Sequence, residues 1–176
     1  MPRLFIGIFV PEDVKSKILK LQQQLVNLPM QCKPVEKENL HITLSFLGET
    51  SEEQIPELKT KLDTITQTYQ KFATHFTGLK LIPNPAYIRV IALEAAGGSL
   101  MQISQHVKQD IGGDAKPPHL TLCRVKNIQD RKTVAQKISE IKFDFGEFTV
   151  ESIDLIQSDL EQNGPVYTSL HKSFLR

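Results

Sequence analysis

Leu40-His41-Ile42-Thr43-Leu44-Ser45-Phe46 decides how this chain is read, because its pattern returns 78 residues later as Pro118-His119-Leu120-Thr121-Leu122-Cys123. In an extended strand successive side chains point to opposite faces. Alternation therefore places His41, Thr43 and Ser45 on one face, with Ile42, Leu44 and Phe46 on the apolar other. The second copy sets His119, Thr121 and Cys123 against Leu120 and Leu122 in the same way. With 12 Thr and 20 Leu among 176 residues, a given His is followed by x-Thr-Leu by chance roughly once in 130. A lone strand histidine more often packs than reacts, but two in the same setting point to one shared site.

Outward from the two motifs, the order of elements repeats. Arg3 to Val10 reads as a buried strand, and Val14, Ile18, Leu21 and Leu25 form a helical stripe after Pro11-Glu12-Asp13. The first His strand follows, about Asn39 to Leu47. Ser51 with Gln54 then predicts a capping box ahead of a helix marked by Ile55, Leu58, Leu62, Ile65 and Tyr69. Phe72 to Ile82 reads as a strand turning at Gly78, and Pro83-Asn84-Pro85 as a stiff connection. Tyr87 to Leu93 is again a strand, and Ser99 with Gln102 predicts a second capping box. Leu100, Ile103, Val107 and Ile111 predict a third helix ended by Gly112-Gly113. The second His strand, about Pro118 to Val125, precedes a helix with Val134, Ile138 and Ile141 inward. Phe145 to Leu160 and Val166 to Phe174 read as strands joined at Asn163-Gly164-Pro165. Residues 3 to 69 and 86 to 141 thus both run strand, helix, His strand, helix. This order predicts an α+β fold with antiparallel sheets flanked by helices, two lobes related by a pseudo-twofold, and one bilobal domain over residues 1–176 whose lobes are not contiguous in sequence.

Bulk composition narrows the classes of function. Lys plus Arg number 21 against 20 Asp plus Glu, so no large basic face for duplex nucleic acid is expected. Residues 114 to 132 are the local exception. There Lys116, Arg124, Lys126, Arg131 and Lys132 outnumber Asp114 and Asp130, which suits an anion or a solvated basic rim. Cys32 and Cys123 are too few for a disulfide framework, and the apolar run Leu4 to Val10 is too short for a signal or a span. A cytoplasmic protein with no membrane contact and no obligatory protein partner is expected.

Two imidazoles across a cleft supply one base and one acid at neutral pH, and Thr43 and Thr121 add neutral donors for phosphoryl oxygens. No G-x-S-x-G elbow, Walker loop or G-x-G-x-x-G appears, which argues against a serine hydrolase, an NTPase and a dinucleotide enzyme. Paired histidines also suit Zn²⁺ or Fe²⁺, but Cys123 is the only obvious third ligand, so no metal and no cofactor are expected. His75, His106 and His171 lack the Thr context. Counting by twos sets Arg124 opposite His119, at a rim, unless a bulge re-aims it toward a phosphate.

Glu38-Asn39-Leu40-His41-Ile42-Thr43-Leu44-Ser45-Phe46-Leu47-Gly48-Glu49, taken with Pro118 to Val125, resembles the two-histidine (2H) phosphoesterase superfamily. The nearest branch is the RNA 2′,3′-cyclic phosphodiesterases, historically called 2′-5′ RNA ligases. Arg3-Leu4-Phe5-Ile6-Gly7, Pro83 to Val90 and Gly164-Pro165-Val166-Tyr167 extend the likeness over nearly the whole chain. The resemblance implies a bilobal fold with a central cleft, metal-free opening of a terminal 2′,3′-cyclic phosphate to a 2′-phosphate, and reversible 2′-5′ ligation in some members. It carries His41 and His119 over as catalytic and Thr43 and Thr121 as phosphate-binding, and it suggests His41 as the acid and His119 as the base. The substrate it implies is RNA with a cyclic end, tRNA fragments included, or a cyclic nucleotide. The competing class is a nucleotide-binding module without turnover.

Overall fold

A computed structural model describes residues 1–176. The first half of the chain gives β1 (Arg3–Phe9), α1 (Glu12–Val26), β2 (Met30–Pro34), β3 (His41–Glu49), α2 (Ile55–Thr66) and β4 (Phe72–Asn84). The second gives β5 (Tyr87–Ala96), α3 (Leu100–Asp110), β6 (His119–Ile128), α4 (Arg131–Glu140), β7 (Phe148–Val150), β8 (Ser152–Glu161) and β9 (Gly164–Phe174). The helical stripes hold: Val14, Ile18, Leu21 and Leu25 of α1, Leu62 and Ile65 of α2, and Leu100, Ile103 and Val107 of α3 are all buried. Gly112 and Gly113 end α3 at φ 93° and 85°, a conformation that glycine adopts without a Cβ penalty.

The strands form one antiparallel path, β7-β4-β5-β6-β3-β1-β8-β9, with β2 beside β6. Its two halves meet at β3 and β6, where only Ile42 with Leu120 and Thr43 with His119 are paired. On either side of this short seam the halves diverge, which opens a cleft lined by the two motifs. α1 follows β1 but packs on β2 and β6, and α3 follows β5 but packs on β3. Each of these helices crosses to the other half, so the halves interleave in sequence. The apolar faces merge in one cluster of 33 buried residues that includes Ile42, Leu44, Leu120 and Leu122.

Two bulges alter the faces expected from strict alternation. Between β1 and β3 the register passes from Gly7 with Thr43 to Ile6 with Ser45, leaving Leu44 as an extra residue. Between β5 and β6 it passes from Ala92 with Thr121 to Ile91 with Cys123, leaving Leu122 as the extra. An extra residue shifts the phase of everything beyond it. Ser45 therefore does not share the His41 face: it is fully buried and donates to the Gly112 carbonyl at 2.7 Å. Cys123 likewise turns into the apolar cluster. Phe46, expected in the core, is 44% exposed beside Phe5, at a ring distance of 6.1 Å.

Other expectations shift in smaller ways. β4 runs through Gly78, where Thr77 bulges between Phe76 and Gly78, in place of a turn. Ser99 precedes α3 without a side-chain capping bond, whereas Ser51 gives its backbone N–H to Gln54 Oε1 at 3.3 Å. β2 has no counterpart among the expected strands.

Candidate active site

β3 and β6 present the two histidines in matching fashion. His41 Nδ1 lies 2.7 Å from the Asn39 carbonyl, and His119 Nδ1 lies 3.0 Å from the Pro117 carbonyl, each two residues back. A carbonyl only accepts, so each Nδ1 carries a proton and each neutral ring has its lone pair on Nε2. Thr43 Oγ1 donates to His41 Nε2 at 2.9 Å. Thr43 pairs with His119, and continuing the register sets His41 against Thr121. The histidines are thus diagonal neighbours across the seam, roughly 7–8 Å apart at the backbone, a gap that admits a phosphoryl group.

The walls fix His41 tightly. Its ring meets Phe5 at 4.8 Å and the edge of Tyr167 at 5.2 Å, with Phe9 at 6.4 Å. Gly7 passes beneath it, where an added Cβ would stand 2.8 Å from the Ile42 carbonyl and 3.3 Å from His41 Cδ2. Asn39 does two jobs: its carbonyl anchors His41, and its Nδ2 donates to the Pro165 carbonyl at 2.8 Å. Lys33 Nζ donates to the Asn163 carbonyl at 3.2 Å, so the β8–β9 turn closes one end of the cleft against β2 and the residues after it.

Electrostatics follow from burial and neighbours. Burial pushes the His41 imidazole down to about 4, and the charges of His119 and Arg124 act the same way against the Asn39 carbonyl, which favours protonation. Burial also lowers His119, followed by the opposing Pro117 carbonyl and then by Lys80 and Lys116, which lower it further. Tyr167 is raised by burial, with Arg124 opposing. Both imidazoles are therefore biased toward the neutral form.

Of the residues expected from sequence, His41, Thr43, His119 and Thr121 come together at the seam. Arg124 joins them, because the bulge at Leu122 turns it to the cleft face, and its charge is felt by His41 and Tyr167. It occupies the place in β6 that Phe46 holds in β3, five residues after the histidine in each. Cys123 faces the opposite side, its thiol pushed up by burial, and is no candidate third ligand for a metal at the histidines. His106 and His171 are bound elsewhere, to Asp110 at 3.0 Å and Asp63 at 2.7 Å. Phe5, Phe46, Tyr167, Asn39, Lys33 and Lys80 do not stand out as site residues in the sequence. Phe5, Asn39, Phe46 and Tyr167 lie in stretches that carry the family likeness, though it assigns them no role, and Lys33 and Lys80 carry no such signal.

The family described as LigT-like phosphoesterase matches the chain twice, over residues 8–92 and 93–167, so each match holds one histidine motif. The RNA 2′,3′-cyclic phosphodiesterase of Methanocaldococcus jannaschii is 40% identical over 172 residues, covering 94% of this chain and 96% of that one. The Bacillus subtilis protein of the same name is 29% identical, covering 97% and 95%. A solved Thermus thermophilus protein superposes with a TM-score of 0.84 at 28% identity, covering 99% of this chain and 98% of that one. An E. coli LigT solved with phosphate has the same fold, with a TM-score of 0.75 at 23% identity and coverage of 99% and 97%. The chain belongs to the LigT-like phosphoesterase family. No helix is long and apolar enough to cross a membrane.

Proposed function

We propose that this phosphoesterase opens the 2′,3′-cyclic phosphate at an RNA end, or on a nucleotide, to a 2′-phosphate, with His41 and His119 as its acid and base and no metal. The observation that carries this reading is the matched anchoring of two imidazoles, each with Nδ1 held by a carbonyl and the lone pair on Nε2, diagonally across one seam. The names of the relatives point to the same substrate. Thr121, Arg124 and Thr43, whose hydroxyl hydrogen is freed from His41 Nε2 once that ring is protonated, hold the non-bridging oxygens. A diester anion between the rings offsets the burial that disfavours an imidazolium, and one ring takes up a proton as substrate binds. Water then attacks phosphorus while the other ring removes its proton. The bond from phosphorus to the 3′ oxygen breaks, and that oxygen receives the proton of the imidazolium. Following the family likeness, His41 is the acid and His119 the base. A 5′-hydroxyl in the place of water gives a 2′-5′ linkage, the reversible ligation.

The test is turnover of a 2′,3′-cyclic mononucleotide by purified protein, with the product's phosphate located by NMR. A 2′-phosphate formed equally well in EDTA is expected. Binding without turnover would make the chain a nucleotide-binding module, and loss in EDTA restored by Zn²⁺, Mn²⁺ or Fe²⁺ would replace the metal-free mechanism.

A further inference from the structure

The basic run of residues 114 to 132 is only partly used by the cleft. Arg124 faces the histidines, but Lys126 and Arg131 do not belong to that site. They line a cavity of about 270 Å³ with Tyr87, Arg89 and Asn127, at the far end of β5 and β6. The cavity exists because these strands part: their last register pair is Val90 with Arg124, and beyond it Tyr87–Arg89 and Val125–Ile128 splay. The edges they turn toward each other carry backbone groups outside the ladder, which suits an oxygen-rich ligand.

The side chains point to the same chemistry. Arg89, Lys126 and Arg131 are all exposed, and none is ion-paired with a carboxylate. The neighbouring carboxylate, Asp130, is committed to capping α4 through Thr133 N at 3.2 Å and Thr133 Oγ1 at 2.5 Å. Arg131 is held in place by donating to the Ala86 carbonyl. Arg89 stacks over Tyr87 at 5.4 Å, and Tyr87 is 52% exposed. Cations interleaved with an exposed aromatic are the composition of single-strand nucleic-acid sites. The volume lies just below the ~300 Å³ at which small-molecule pockets begin, enough for a phosphodiester with its sugar.

We propose that this splayed end of β5 and β6 is a second phosphate-binding station, which holds a backbone phosphodiester of the RNA chain 5′ to the cyclic end. The inference rests on the cleft being the site of that cyclic end. Lys126 is seven residues along β6 from His119, which at ~3.3 Å per residue places the station roughly 20 Å from the histidines, beyond a mononucleotide. The 2′,3′-cyclic phosphate closes the 3′ end of RNA, so only nucleotides on its 5′ side can reach there.

The test compares wild type with Arg89→Gln/Lys126→Gln on two substrates, a 2′,3′-cyclic mononucleotide and a cyclic-ended oligoribonucleotide of about ten nucleotides. For the oligonucleotide, kcat/KM should fall about tenfold or more, and its slope in log salt should flatten by about 0.7 per cation removed. Mononucleotide turnover should be unchanged. An unchanged oligonucleotide rate would overturn the station, and so would an equal loss on both substrates, which would mean that the cavity only shapes the cleft. If wild type turned over neither substrate, the function would be wrong. Fluorescence anisotropy of the oligonucleotide would still judge the station, by whether the variant binds more weakly.

Discussion

At the scale of the residue, the proposed site rests on two imidazoles held by carbonyls and biased by burial toward the neutral form. His41 takes up its proton only near pH 4, while the unfolded chain does so near 6.5. The unfolded state therefore binds more protons in that window, and stability falls as pH drops through it. The expected loss is on the order of 3 kcal/mol from His41, and the lowered His119 acts in the same direction. Urea midpoints at pH 7 and 4.5 should differ more for wild type than for His41→Gln, whose amide keeps a donor without a titrating ring. Equal acid losses in both would mean that His41 does not titrate as its burial dictates. Inorganic phosphate should protect the wild type increasingly as pH falls, since the anion favours the imidazolium. These histidines and their threonines were legible in the sequence because a repeated H-x-T-L is rare. Arg124 was a candidate too, but its direction was not legible, because it depends on an extra residue in β6, which tertiary pairing decides and local alternation does not reveal.

At the scale of the element, β1 matters through what it lacks. Gly7 lets the strand pass under His41, and a Cβ there would press 2.8 Å from the Ile42 carbonyl. Gly7→Ala should destabilise by about 1–3 kcal/mol and lower kcat by displacing the ring. Gly78→Ala, where nothing lies within 4 Å, should do neither. Full activity in Gly7→Ala, measured on the folded fraction, would show that the ring does not depend on this close approach. The helices were legible from 3.6-residue stripes whose central residues are buried, while Tyr69, Ile111 and Ile141 fall just past the helix ends. β2 was not, because Met30-Gln31-Cys32-Lys33-Pro34 is short, polar and ends on proline. It is a strand only because β6 offers it a partner beyond the seam. The same strand delivers Lys33 opposite Arg124, so a missed element cost a missed cation.

At the scale of the whole molecule, the repeated order of elements was legible, but the crossing of α1 and α3 was not, because periodicity tells which helix face is apolar and not which sheet will cover it. That crossing binds the halves together, and we propose that residues 1–176 unfold as one bilobal domain. Calorimetry, suited to a chain without Trp, should give one transition whose calorimetric and van't Hoff enthalpies agree, whereas two resolved transitions would make the halves independent. The central claim is that the two halves each supply one proton-handling imidazole to a single phosphoryl group. It is tested most directly by assaying His41→Ala and His119→Ala on two substrates, a 2′,3′-cyclic nucleotide and an activated aryl phosphodiester whose leaving group needs no proton. Each variant should lose roughly 10² to 10⁴-fold on the cyclic nucleotide. On the aryl ester His41→Ala should be largely rescued and His119→Ala should not. The reverse rescue would exchange the two roles, and equal failure of both variants on both substrates would contradict a division of acid and base between the two strands.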